Sequence, residues 1–365
     1  MRYRPAVQLS AICSNGTPMA NPHDLMMRVS HHYYRSHLTM AEIGNRLGIS
    51  RHRVGRLLKA AVATGVVNIE IRVPTGENVE LRKAVERTFK LKAALIVDVP
   101  PDISPDQIKQ LTCRAAVPFL RDRLSAHRTI GVGWGSTTFE LVNALEPLDL
   151  SNKKVVQITG GNKRLSMPFD CHEVTRRLAQ KLHVQPILLH APGIVDNKRT
   201  RELLMRDSNI RDTFKYFGEL DLAIVGIGAI RPAIQSMLIT SGYISATELK
   251  SLKRAGAVGD VFSYFIDDDG EVVRTELYDR LITIGLADVR RIPTTLGVAT
   301  GAAKARALAA AMRGGFINTL VADSSLTRAV LALQSKAGKV HAARKAPIVS
   351  TSRESKVKNL RGKCD

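Results

Sequence analysis

The chain has 365 residues, with 54 Lys and Arg residues against 33 Asp and Glu residues, a formal net charge of +21. Hydrophobic residues make up 44% of it, which excludes a largely disordered chain and predicts two or three folded domains. The charge excess predicts a polyanionic partner, either nucleic acid or an anionic membrane surface.

Membrane insertion, secretion and metal binding are not indicated by the sequence. It contains no run of about 18 apolar residues, and its N-terminus lacks the apolar core of a secretory signal. The four cysteines stand far apart, without a CxxC pair. A zinc knuckle or a disulfide framework is therefore not expected. We expect a cytoplasmic protein with no metal, no cofactor and no membrane partner.

The first folded segment is basic and helical. Between residues 24 and 72 there are eight Lys or Arg residues and three acidic ones, a net charge of +5. Apolar spacing predicts an amphipathic helix over 24–37 and two short helices after it. We assign 24–76 to a winged-helix-like helix-turn-helix DNA-binding domain, and 1–23 to an N-terminal extension.

The turn between the two short helices carries specific signals. Thr39 is placed to cap the first of them, and Glu42 completes a capping box. Gly48 can end that helix in a left-handed conformation. Ser50 can cap the second helix. Gly44 supplies the small residue that a helix-turn-helix needs where its two helices cross.

The second short helix is predicted to enter the major groove of DNA. Once the apolar core positions are assigned, its basic residues are left for the exposed faces. The candidate DNA-binding residues are Thr39, Ser50, Arg51, His52, Arg53, Arg56 and Lys59. The alternative is an ordinary helical hairpin with a solvated basic face.

Two further segments flank the main domain. Residues 66–73 alternate and are β-branched, which predicts a short wing strand. Residues 77–103 are interpreted as a connector helix and strand. Residues 334–365 hold nine basic and two acidic residues without periodicity, which predicts a disordered tail. This tail either aids solubility or contacts DNA nonspecifically.

Residues 104–333 alternate between helical and strand-like patterns. Strand-like runs are TIGVGWG, KVVQITGG, PILLHAP, LAIVGIGAI, TTLGVATG and NTLVAD. This order predicts a Rossmann-like α/β domain with a mainly parallel sheet, whose ligands bind beyond the carboxyl ends of the strands.

Three of these strand ends carry loops that suit an anion. The first, residues 131–138, combines glycines, hydroxyl groups and a following helix. The second is Gly226-Ile227-Gly228, and the third places Lys304 in the first turn of a helix. Together they predict a site for a small ligand that bears phosphate. Tight strand-to-helix turns are the alternative explanation for each loop.

The order of parts resembles the SorC-type, DeoR-like family of sugar-binding transcriptional regulators. The motifs that carry the resemblance are AEIGNRLGISRHRVGRLL, IGVGWGSTTFELV, LAIVGIGAI, SGYISATELKSLKRAGAVGDVFSYFID and RRIPTTLGVATGAAKARALAAAMRGGFINTLVAD. The resemblance implies an effector domain with the fold of phosphosugar isomerases and glucosamine-6-phosphate deaminases. It also implies a homo-oligomer, a tetramer or a dimer, that binds operator DNA and responds to a phosphorylated sugar or polyol.

The resemblance also implies roles for individual residues. Ser136, Thr137 and Thr138 would hold the ligand phosphate, with Lys304 at the same pocket. The remaining implied effector-binding residues are Gly135, Gly226, Gly228, Asp260 and Arg280. The chain departs from the family pattern at Gly44 and Gly55, where Ala and Ser are commoner, and at Ser263-Tyr264, where Gly-Arg is commoner.

An enzyme is the main alternative in another functional class. A sugar-phosphate isomerase or deaminase fused to a DNA-binding domain would need a general base and an acid near the substrate. Candidates by residue type alone are Asp260, Asp267, Glu271, His172 and His190. A nicotinamide-dependent oxidoreductase would rest on GVGWG alone, a weak match to the dinucleotide fingerprint. We expect a regulator without catalytic residues.

Overall fold

The computed structural model describes residues 22–67, 76–161 and 170–345. Nearly all of the predicted extension, most of the predicted wing strand at 66–73 and the tail beyond residue 345 lie outside the described residues. The chain separates into two compact units, Met1–Val73 and Pro74–Asp365, and each is described by itself.

The described residues of the first unit form three helices around a small apolar core. They are α1 (Pro22–Tyr34), α2 (Met40–Leu47) and α3 (Arg51–Ala63). One side chain from α1 (Val29), one from α2 (Ile43) and two from α3 (Val54 and Leu58) form the buried centre. The i, i+4 spacing of Val54 and Leu58 places both on one face of α3, as the sequence pattern predicts.

All three predicted helix caps of this unit are confirmed. The Thr39 hydroxyl accepts a hydrogen bond from the Glu42 backbone N–H at 3.3 Å, and the Thr39 N–H donates to the Glu42 carboxylate at 2.8 Å. Gly48 ends α2 with φ of 65°, in the left-handed region. The Ser50 hydroxyl accepts from the Arg53 N–H at 3.3 Å and so begins α3.

Gly44 lies inside α2, on the side that faces the turn into α3. A Cβ atom at this position would come within 2.6 Å of the Ile49 carbonyl oxygen, a backbone atom that cannot move alone. The turn therefore requires glycine at this point in its present geometry.

The second unit is built on a seven-stranded parallel sheet. Its strands are β1 (Ala93–Val97), β2 (Thr129–Val132), β3 (Lys154–Gln157), β4 (Pro186–Ile187), β5 (Leu222–Gly226), β9 (Thr294–Ala299) and β10 (Thr319–Asp323), in the order β1-β10-β9-β5-β2-β3-β4. A smaller antiparallel sheet contains β6 (Gly228–Ala229), β7 (Gly259–Val261) and β8 (Tyr264–Ile266).

Helices cover both faces of the large sheet. The described helices are α4 (Val79–Phe89), α5 (Pro105–Ala115), α6 (Val117–Ala126), α7 (Ser136–Ala144), α8 (Cys171–Lys181), α9 (Lys198–Leu204), α10 (Ser208–Lys215), α11 (Met237–Thr240), α12 (Ala246–Arg254), α13 (Leu286–Val289), α14 (Ala305–Arg313) and α15 (Ser324–Lys345). Along β5, Leu222 and Ile224 belong to one core cluster, and Ala223 and Val225 to another. A sheet buried on both faces explains why its strands are continuous apolar runs. In the described part of the chain, no helix combines the length and apolar character needed to cross a membrane.

The predicted domain boundaries need two corrections. Residues 77–103 contain the predicted helix and strand, α4 and β1, but they are part of the second unit rather than a connector, because β1 pairs in parallel with β10 at the edge of the large sheet and buries Ile96 there. The predicted tail is not unstructured from its start, because α15 continues from Ser324 to Lys345. The Ala, Lys and Arg residues that are frequent in this segment are good helix formers.

Two predicted elements are each divided in the structure. The run LAIVGIGAI forms β5 and β6, which lie in different sheets on either side of Ile227. Residues 106–124, whose apolar pattern predicts one long helix, form two helices, α5 and α6, that meet at Ala116. A proline in the first turn of α6 explains that break, since proline has no N–H to continue the α5 ladder.

Candidate functional site

The carboxyl ends of β2, β5 and β9 lie side by side, because these strands are neighbours in the sheet. The loops after them converge on one cleft. The residues that line it are Trp134, Gly135, Ser136, Thr137, Gly226, Ile227, Gly228, Gln235, Met237, Asp260 and Lys304. The sequence prediction that the three anion-type loops share one site agrees with this arrangement.

The loop after β2 presents the start of α7 to the cleft. Gly135 precedes the helix with φ of 135°, a conformation that L-residues rarely adopt. No side chain of the described residues caps this helix end. The backbone N–H groups of its first turn, from Ser136 to Thr138, have no carbonyl partner within the helix and favour a negative charge.

Thr138 lies behind the cleft. Its side chain is buried, and its hydroxyl has no hydrogen-bond partner among the described residues. A Cβ atom at Gly226 would lie 3.4 Å from this hydroxyl oxygen. Glycine at 226 therefore keeps the space between the loop after β2 and the loop after β5 open.

Asp260 reaches the cleft from the small sheet. It pairs with Gly228 across β6 and β7. A Cβ atom at Gly228 would stand 2.1 Å from the Asp260 Oδ1 atom, so the carboxylate occupies the space that glycine leaves. Oδ1 is buried and has no partner within the described ranges. An unpaired acceptor at the wall of a cleft can accept a hydrogen bond from a hydroxyl group of a ligand.

Lys304 brings a positive charge to the same cleft. It ends a short 3₁₀ turn, Ala302–Lys304, between β9 and α14. Burial lowers the pKa of Lys304 to about 8, and the negative charge of Asp260 opposes that change. Burial raises the pKa of Asp260 to about 6, and the nearby Ser236 hydroxyl and the charge of Lys304 both oppose that change. Near neutral pH both groups are therefore mainly charged.

Arg280 is not among the residues that line this cleft. Its Nε atom donates to the Val195 carbonyl oxygen at 2.7 Å, and its guanidinium forms an ion pair with Glu248. Because its hydrogen-bonding groups are used in this way, Arg280 joins α12 to other parts of the fold. The structure does not bring it together with the other predicted effector-binding residues.

The acid–base candidates of the enzyme alternative are dispersed. Only Asp260 of the five lines the cleft. Asp267 and Glu271 belong to a hairpin turn, in which the Asp267 carboxylate accepts from the Glu271 N–H at 2.9 Å. His172 and His190 lie beside each other, with ring centroids 6.1 Å apart, and line another groove. Within the described residues, no group of His, Cys, Asp or Glu is arranged to hold a metal ion.

Gln235 and Met237 also line the cleft, although no motif in the sequence marks either residue. Gln235 precedes α11 in an irregular segment that follows β6. Neither periodicity nor a motif marks such a segment, so only the folded chain reveals its position.

The candidate DNA-binding residues occupy the first unit. Arg51, His52, Arg53, Arg56 and Lys59 are all exposed on α3. Thr39 and Ser50 serve as helix caps, as described above. The helix sequence contains no acidic residue, so the exposed basic face of α3 suits the phosphate backbone of DNA.

Comparisons with known proteins agree with this arrangement. Residues 73–332 match the model of the sugar-binding domain family. The chain is 32% identical over 314 residues to the transcriptional regulator LsrR of Klebsiella pneumoniae subsp. pneumoniae, covering 86% of this chain and 94% of that protein. It is 29% identical to the sorbitol operon regulator of Klebsiella pneumoniae, covering 84% of this chain and 97% of that protein.

A solved structure extends the likeness to the fold. The crystal structure of the full-length sorbitol operon regulator SorC from Klebsiella pneumoniae matches with a TM-score of 0.64 and 27% identity, covering 84% of this chain and 98% of that chain. The family match spans most of the chain, and the relatives are covered almost end to end. The chain therefore belongs to the SorC-type, DeoR-like family of sugar-binding transcriptional regulators.

Proposed function

We propose that this protein is a cytoplasmic regulator of carbohydrate or polyol metabolism whose binding to operator DNA is controlled by a phosphorylated sugar or polyol. One observation carries the effector part of the proposal. An uncapped helix N-terminus, a lysine and an unpaired carboxylate oxygen line the same cleft. These groups complement a phosphate at one end of a small ligand and a hydroxyl group at the other.

The roles proposed for the cleft residues follow from this complementarity. The first turn of α7, from Ser136 to Thr138, and Lys304 would bind the phosphate group. Asp260 would accept a hydrogen bond from a ligand hydroxyl. Gly135, Gly226 and Gly228 would leave room for the ligand, because side chains at these positions would meet strain or neighbouring groups. Arg280 has no part in this proposal.

The roles proposed in the first unit depend on exposure. Arg51, His52, Arg53, Arg56 and Lys59 would contact operator DNA from α3 in the major groove. Thr39 and Ser50 would hold the turn in place as helix caps, and so keep the basic face of α3 oriented toward the DNA. The protein would act as a dimer or a tetramer, as analytical ultracentrifugation of the full chain can test.

A pair of variants tests the proposal. Purified full-length protein is screened by thermal shift against sugar and polyol phosphates and against the same compounds without phosphate. A ligand present at about 100 times its dissociation constant stabilises the bound state by about 2.7 kcal/mol. We expect phosphorylated compounds alone to produce such a shift in the wild type, and Lys304→Ala to reduce it sharply while the first turn of α7 still binds the phosphate weakly.

Lys59→Ala is the matched control, since it removes a lysine from the other unit. It should keep the thermal shift of the wild type. Absence of any shift across the phosphorylated panel would refute the effector assignment, as would an equal shift with the unphosphorylated compounds.

A further inference from the structure

Asp323 is a buried carboxylate that none of the roles above uses. It is the last residue of β10, and its exposed fraction is 0%. A carboxylate so far from solvent is costly unless hydrogen-bond donors surround it. This one therefore marks a position where several donors converge.

The donors come from two different elements. The Oδ2 atom accepts a hydrogen bond from the backbone N–H of Gly301 at 2.7 Å. The Oδ1 atom accepts from the N–H of Leu326 at 2.9 Å and from the Ser325 hydroxyl. One carboxylate thus joins the turn after β9 to the first turn of α15.

The turn held in this way leads directly to the cleft. Gly301 has φ of 88°, in the region that favours glycine, and the 3₁₀ turn that ends at Lys304 follows it at once. This 3₁₀ turn also packs against α15. The bond from Gly301 to Asp323 therefore fixes the point from which the chain carries Lys304 into the cleft.

We propose that Asp323 is a positioning residue of the effector cleft, which holds the Gly301 turn so that Lys304 meets the anionic group of the ligand. The inference rests on the proposed function, because it presumes that Lys304 binds that anion. Asp323 itself does not line the cleft and acts only through the backbone of the turn.

Asp323→Asn is the informative substitution. An asparagine can keep one oxygen on the Leu326 N–H and still cap α15, since asparagine is a good N-cap residue. Its amide nitrogen then faces the Gly301 N–H, and two donors cannot bond to each other. The substitution should release the turn while leaving the helix start in place.

The probe is inorganic phosphate, which tests the anion subsite without knowledge of the whole ligand. Its binding to the full-length protein is followed by phosphorus NMR line broadening. Emission from Trp134, which lines the cleft and is the single tryptophan of the chain, provides a second signal. We expect Asp323→Asn to weaken phosphate binding about tenfold, which corresponds to about 1.4 kcal/mol.

A double-mutant cycle with Lys304→Ala separates positioning from general damage. If Asp323 acts through Lys304, then Asp323→Asn should change phosphate affinity by less than about twofold once Lys304 is alanine. Ser325→Ala is the matched control. It removes a donor on the α15 side of the same carboxylate, leaves the Gly301 bond intact, and should keep the phosphate affinity of the wild type.

The possible outcomes distinguish this inference from the proposed function. Saturable phosphate binding by the wild type that Asp323→Asn leaves unchanged would overturn the positioning role and leave the cleft assignment standing. Equal losses from Asp323→Asn with and without Lys304 would also overturn it. If the wild type binds no phosphate, the cleft assignment fails, and the positioning role fails with it.

Discussion

Gly44 and Gly55 both lie inside helices of the first unit, but replacement by alanine should change the stability of that unit in opposite directions at the two positions. A glycine inside a helix costs about 0.5–1 kcal/mol relative to alanine, so each substitution begins with that gain in stability. At Gly55 the new Cβ atom would lie 3.5 Å from the Met40 sulfur, an ordinary contact with a flexible side chain. The gain should therefore be kept.

At Gly44 the new Cβ atom would lie 2.6 Å from the Ile49 carbonyl oxygen. Relief of that contact requires α2 and α3 to separate, at the cost of about 1–3 kcal/mol that is typical of overpacked sites. The clash should exceed the helix-propensity gain, so Gly44→Ala should destabilise the unit by about 1–2 kcal/mol.

Hydrogen exchange of the full-length protein, read from peptides that cover 40–63, measures both effects within the same unit. Gly55→Ala should slow exchange about two- to fivefold, and Gly44→Ala should accelerate it about five- to thirtyfold, if the amides exchange through opening of the helix pair. Exchange that shifts in the same direction in both variants would refute the reasoning from the Cβ positions.

Two further predictions concern the second unit. Phe262 and Ser263 join β7 to β8 with φ of 54° and 67°, and such a two-residue turn usually has glycine at its second position. Ser263→Gly should therefore raise the free energy of unfolding by about 1 kcal/mol in denaturant titrations. An unchanged or lower denaturation midpoint would count against this prediction. Burial lowers the pKa of Lys304 to about 8, so affinity for the phosphate dianion should fall as the pH rises from 7 to about 9, because the lysine loses its charge over that interval. The affinity is referred to the dianion concentration at each pH, since inorganic phosphate itself titrates near neutral pH. Lys304→Arg should flatten that profile, since arginine stays charged, and an identical pH dependence in this variant would assign the effect to another group.

The sequence predicted features that depend on local geometry. Three such features are the capping box at Thr39, the left-handed Gly48 and the Ser50 cap. Each depends on residues within one helical turn of it, so it can be predicted from the sequence without knowledge of the fold. The convergence of loops was also predictable, since parallel strands place their carboxyl ends at one edge of the sheet.

Features that depend on distant contacts were not predictable in the same way. Arg280 was assigned to the cleft by resemblance, but the structure pairs it with Glu248, which precedes it by 32 positions. Residues 77–103 looked like a connector because nothing in their own pattern indicates pairing with β10, far away in the chain. Asp323 looked like the polar end of a strand, and its bond to Gly301 exists only in the folded chain.

The central claim is that a ligand in the cleft controls DNA binding by the other unit. Fluorescence anisotropy with an operator fragment recovered by selection from random DNA tests it directly, at one fixed salt concentration and with the ligand found in the phosphate screen. We predict that the ligand changes the DNA affinity of the wild type by about 5- to 150-fold, a coupling of about 1–3 kcal/mol, and has no effect on Lys304→Ala. Arg53→Ala should lose affinity for the operator and keep the ligand-induced thermal shift. A ligand that leaves the DNA affinity of the wild type unchanged would contradict the account, as would one that changes the DNA affinity of Lys304→Ala by the same factor.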